Sequence, residues 1–105
     1  MSVADLLAPL DGRSGPVHLP AAHAWMQGRT LYGGASALLA YTAAIRAFPG
    51  LPPLRGGQVA FVAPVGDTVE FRVELVRQGR NVAQVRSELL CEGAVALTTF
   101  WLFGT

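Results

Sequence analysis

Residues 33–48 read Gly33-Gly34-Ala35-Ser36-Ala37-Leu38-Leu39-Ala40-Tyr41-Thr42-Ala43-Ala44-Ile45-Arg46-Ala47-Phe48. Alanine and leucine dominate the run, no proline interrupts it, and Pro49-Gly50 stops it. The stretch is therefore predicted to be one long helix, from Gly33 to about Phe48. Leu38, Tyr41, Thr42 and Ile45 fall on one face, and Ala37, Ala40, Ala43, Ala44 and Ala47 on the opposite one. Only Arg46 is clearly polar. A helix apolar nearly all round is expected to be buried, its small side chains letting a curved sheet or another helix come close.

Downstream, Leu51 to Gly57 reads as a Pro/Gly-rich connection, and from Gln58 the period changes to two. Val59, Phe61 and Val65 alternate with Gln58 and Ala60, and Pro64-Val65-Gly66-Asp67 is a turn. Val69, Phe71, Val73 and Leu75 then alternate with Thr68, Glu70, Arg72 and Glu74, as in a half-buried antiparallel strand. After the turn Gln78-Gly79-Arg80-Asn81, Val82 to Cys91 sets Ala83, Val85, Ser87 and Leu89 against Gln84, Arg86 and Glu88. Glu92-Gly93 leads into Ala94 to Phe103, which is apolar on both faces and belongs in the sheet's middle or at an interface.

Upstream, Ser2 with Asp5 is a capping-box-like start to a short helix that Pro9 weakens, and residues 11–16 are turn chemistry. Val17 to Leu19 and Ala24 to Gln27 are expected as extended pieces of one edge strand broken at Pro20. Helices gathered on one face of an antiparallel sheet make the class α+β.

The chain has 105 residues, 51% hydrophobic and 14% charged, with mean hydropathy +0.39. The length fits one domain over residues 1–105. The charged fraction is low against about 25% in ordinary domains, which excludes disorder. A formal net charge of +1, with no basic cluster, argues against a nucleic-acid partner. No run of ~18 apolar residues is present, so no membrane span is expected. The start, with Asp5 ahead of its leucines, is wrong for a secretory signal. One cysteine, Cys91, and two histidines, His18 and His23, lack metal-ligand spacing. The expectation is a cytoplasmic protein without a metal, whose surplus apolar surface is covered by a subunit interface.

Trp25-Met26-Gln27-Gly28-Arg29-Thr30-Leu31-Tyr32-Gly33-Gly34 resembles the stretch that opens the central helix in the amino-terminal hotdog domain of acyl-CoA thioesterase II-like proteins. The block from Leu54 to Asp67, ending in a Pro-x-Gly-Asp turn, is similar to the family's next segment, and Arg77-Gln78-Gly79-Arg80-Asn81 to its following hairpin. The resemblance covers nearly the whole chain. It implies a single hotdog fold, an antiparallel sheet wrapped around one long central helix. It also implies acyl-CoA thioester hydrolysis in fatty acyl metabolism, with coenzyme A present as part of the substrate and no cofactor. Members usually carry two hotdog halves in one chain. The resemblance thus implies either one half of such a protein or a stand-alone unit that pairs with itself, as a dimer or dimer of dimers.

Thioester hydrolysis needs a donor for the developing oxyanion, a group that activates water, and a slot for the acyl and pantetheine chains. Gly33 and Gly34 at a helix start offer free backbone N–H groups, the positive dipole end, and no Cβ to block a thioester carbonyl; they also simply let the helix enter a tight space. The helix holds no Asp or Glu. By the resemblance, the catalytic Asp, Ser/Thr and Gln come largely from a carboxy-terminal half, and nothing here matches them. Ser36 could meet substrate or cap a backbone group. Gln58, on a strand expected to face the helix, could orient water or be solvated, and Asn81 is a turn residue or a ligand. Tyr32 beside the glycines, Trp25 along an acyl tunnel and Arg80 at the CoA phosphates are the substrate-binding candidates. Two readings stay open: a hydrolase acting at a subunit interface, and a non-catalytic acyl-binding or dimerising half.

Overall fold

The period-two segments fold into four long strands, β4 (Leu54–Phe61), β5 (Thr68–Gln78), β6 (Val82–Cys91) and β7 (Ala94–Gly104). The computed structural model describes residues 3–10, 16–28, 30–31 and 33–105. Short β1 (Pro16–His18) joins the long strands in one antiparallel sheet of order β1-β5-β6-β7-β4. A two-stranded ribbon of β2 (Met26–Gln27) and β3 (Thr30–Leu31) leads into helix α2 (Gly33–Ala47), while α1 (Val3–Leu7) opens the described chain. Ser2 of the expected capping pair lies outside the described residues.

Strand register lines up three rows on the face toward α2. They are Phe71–Leu89–Leu97–Phe61, Val73–Ser87–Thr99–Val59 and Leu75–Val85–Trp101–Gly57. Residues opposite one another on neighbouring strands share a face, so each row is buried where β6 and β7 carry it and opens to solvent at Phe61 and Gly57 on the edge strand. β7 is internal, between β6 and β4, as its two apolar faces require.

The helix buries Ala35, Ser36, Leu39, Ala40, Thr42 and Ala44. This corrects the expected face: Leu38 and Tyr41 are half-buried and Ile45 is 38% exposed. The small residues let the backbone lie close on the sheet beside the fully buried Leu39, and Leu38, Tyr41 and Ile45 lie toward its rim. Tyr41 there packs edge-on against Trp101, with ring centroids 5.2 Å apart, and stacks on Phe103 at 6.2 Å. Burial nearly all round is likewise corrected, since Gly34, Ile45, Arg46 and Ala47 are exposed. Arg46 donates to the carbonyls of Leu7 (2.9 Å) and Leu10, tying α2 to the end of α1 and the residues after it.

Two further expectations change. Ala24 and Trp25 belong to a 3-10 helix, Pro20–Trp25, started by the proline whose fixed φ suits a first helical position. The broken strand is therefore two separate pieces: β1 pairs with β5, and β2 with β3. At the other edge, β4 begins at Leu54, inside the expected connection, because Gly56 and Gly57 pair with Leu102 and Trp101. No helix among the described residues is long and apolar enough to cross a membrane.

Candidate functional site

A depression of about 350 Å³ opens where α2 begins. Gln27, Thr30 and Gly33 line one side of it, and Phe61 and the segment 62–65 line the other. The walls are pinned by backbone bonds. Leu31 donates its amide to the Val65 carbonyl at 2.8 Å, and the Val65 amide donates to Thr30 Oγ1 at 3.1 Å. The Val62 and Ala63 amides both donate to the Ala96 carbonyl, at 2.9 and 3.0 Å. Phe61 fills the space beside Gly33: a Cβ on Gly33 would sit 3.2 Å from its Cζ. The glycine thus permits close packing of the ring against the start of α2.

The first amides of a helix have no partner within it. Among the described residues no backbone carbonyl outside the helix takes the Gly33 or Gly34 amide. The positive end of α2 meets the depression at Gly33. The described lining includes no Asp, Glu or His. The polar side chains of the described lining are those of Gln27, Thr30 and Ser36.

Ser36 also lines the depression; it is 1% exposed, and its hydroxyl donates to the Leu31 carbonyl over a long 3.5 Å. The other candidates are dispersed. Gln58 pairs with Phe100, so it sits on the outer face of β4 and not on the helix side as expected. The reason is parity: Val59 and Gly57 take the inward positions, opposite Thr99 and Trp101. Arg80 and Asn81 stand at the β5–β6 turn, at the opposite end of the strands from Gly33. Trp25 is half-buried against the core, with its Nε1 buried and unpartnered. Tyr32 and Arg29 lie outside the described residues.

Sequence reading passed over Gln27, which faces Thr30 across the β2–β3 turn, where Gly28 takes a φ of 63°. That glycine was the available signal for a tight turn. It also passed over a pairing of His23 Nε2 with Asp67 Oδ2 at 3.0 Å, which joins residues far apart in sequence.

A sheet curved about one long helix, with the helix start open to a cleft beside the edge strand, defines the hotdog class. The chain belongs to the family of acyl-CoA thioesterase N-terminal domains, whose profile matches residues 21–104. A protein of Alicyclobacillus acidocaldarius with a hotdog fold superposes with TM-score 0.83 at 23% identity, over 99% of this chain and 39% of that one. A Thermobifida fusca protein assigned as a thioesterase II gives 0.73 at 22%, over 86% and 33%. A Bacillus halodurans protein solved with CoA gives 0.65 at 21%, over 83% and 70%. The chain thus spans 39% and 33% of the length of the first two. No curated protein sequence matches it.

Proposed function

We propose that residues 1–105 are one hotdog unit that binds an acyl-CoA thioester where α2 begins, and hydrolyses it when a second hotdog unit is set against β4. The observation that carries this is the start of α2 at Gly33 and Gly34, whose amides meet no carbonyl outside the helix among the described residues, beside a depression whose described lining carries no charged side chain. Such donors polarise the thioester carbonyl and stabilise the oxyanion that forms when water attacks. Membership of the thioesterase family supports the substrate class.

The second unit follows from β4. It is an edge strand eight residues long, its only charged residue is Arg55, and Val59 alone among its side chains is even half-buried. Edge strands that are long and nearly uncharged are templates for pairing. A second copy paired there would extend the sheet and cover Phe61 at the mouth of the depression, giving a cytoplasmic homodimer.

One observation favours the other reading, that the chain is a non-catalytic half: the described lining holds no carboxylate or imidazole. Release of free thiol from short-, medium- and long-chain acyl-CoA separates the two. The hydrolase reading expects release above the protein-free rate. Thermal stabilisation by acyl-CoA without release assigns the chain to the binding half. Neither release nor stabilisation would sink the thioester site altogether.

A further inference from the structure

Phe61 is the last residue of β4, opposite Leu97 of β7. Its backbone is held on both sides: the strand pairing precedes it, and the Val62 and Ala63 amides that follow both donate to the Ala96 carbonyl. Its side chain is not held. The ring is 63% exposed, whereas Leu97 and Leu89 in the same row are fully buried. Tyr41, Trp101 and Phe103 pack ring against ring, and among the described residues Phe61 joins none of them.

What the ring does touch is the start of α2. Its Cζ and Cε1 are the nearest atoms to the place a Gly33 Cβ would take, at 3.2 and 3.3 Å. Gly33 is half-buried there, while Gly34, one residue further on, is exposed. Phe61 and Gly33 both line the depression.

The same pairing of ring and glycine occurs between Trp101 and Gly57, but that ring is buried and Tyr41 packs against it. Two contacts of one kind thus differ in freedom. A ring enclosed on all sides is core. A ring that water surrounds on most sides gives up little apolar burial when it turns. Exposed side chains change rotamer in picoseconds to nanoseconds, and the backbone need not move.

We propose that the Phe61 side chain is a gate on the depression. In the unliganded chain its ring closes on Gly33 and shields the first amide of α2. To admit the carbonyl of an acyl ligand it swings outward on a still backbone, and it then closes over the ligand's apolar part. What the gate admits rests on the thioester reading above; the closure over Gly33 does not. Phe61 controls access and makes no bond to the reacting atoms. A second copy against β4 would narrow the ring's outward path, so the test separates the ring from the pairing.

The test compares the unsubstituted chain with F61A and A60K. A60K puts a charge on the outer face of the same edge strand, which hinders pairing and leaves the ring in place. Exchange of the Gly33 amide proton with water, read by nuclear magnetic resonance, reports the closure without any ligand. It is expected to quicken about fivefold in F61A and to stay unchanged in A60K. Octanoyl-CoA, mixed with each protein by stopped flow and followed by tryptophan fluorescence, reports the gate. Association and dissociation are both expected to quicken about threefold in F61A, with affinity altered less than either rate.

An unchanged Gly33 exchange rate in an F61A protein with native near-ultraviolet circular dichroism overturns the proposal. So does an equal rise in A60K, which would assign the shielding to pairing. Faster exchange with unaltered octanoyl-CoA rates also overturns it, because the ring would then cover the amide without governing entry. Faster exchange with no octanoyl-CoA binding by any of the three proteins supports the closure and sinks the thioester reading instead.

Discussion

The six-membered ring of Trp101 occupies the space where a side chain on Gly57 would stand: a Cβ there would collide with Cε3 and Cζ3. Trp101 cannot easily yield, because Tyr41 packs against it at 5.2 Å and it is itself buried. Gly57→Ala is therefore expected to cost roughly 2–3 kcal/mol, the usual cost of overpacking a core. Gly56→Ala, one residue away with open space around the added carbon, is expected to change stability little. Urea unfolding midpoints of the two variants check the contrast; equal midpoints would show that the ring has room to move.

Ser87 lies in the middle row of the core with its hydroxyl buried and unpartnered, while its own carbonyl accepts from Thr99 Oγ1 at 2.7 Å. A buried hydroxyl without a partner costs more than the methyl that replaces it. Ser87→Ala is expected to raise stability by about 1 kcal/mol, and Thr99→Val to lower it by a similar amount. Chemical denaturation of both variants reads the two signs, and a destabilised Ser87→Ala contradicts the first.

Gly33 and Phe61 touch differently from Gly57 and Trp101. A Cβ on Gly33 would stand 3.2 Å from a ring that is 63% exposed and free to swing outward. Gly33→Ala should cost less than about 1 kcal/mol, yet the added carbon would intrude where a thioester carbonyl must approach. The expected outcome is a nearly unchanged melting temperature without ligand and a lost thermal shift with acyl-CoA. A retained shift would place the ligand elsewhere.

Pairing through β4 makes its own prediction. Phe61→Lys puts a charge at the exposed end of the edge strand, a device that blocks strand addition. Multi-angle light scattering should find a dimer for the unsubstituted chain and a folded monomer for the variant. A monomer in both cases removes the edge-pairing argument.

Much of the fold could be read from periodicity. The long helix from Gly33, the turns at Asp67, Gly79 and Gly93, and the alternation of Val69–Leu75 and Ala83–Leu89 all correspond to observed elements. The glycines at the start of α2 were equally visible, because that chemistry resides in the backbone of adjacent residues. Less visible were features that depend on a one-residue shift. The extra residue in β5 moves Arg77 to the outer face, and the pairing of Val59 with Thr99 turns Gln58 away from the helix. Register reverses every side chain it displaces, and local composition does not encode it.

The class of this protein is legible in its residues: one apolar helix, four strands of period two, and too little polar surface for their apolar area. Local periodicity and the hydrophobic effect suffice for that. The assembled fold sets which groups meet. It sets Phe61 against Gly33 and gives His23 its Asp67. The physical reason is that a binding site joins distant segments through register and packing, and those are properties of the assembled sheet.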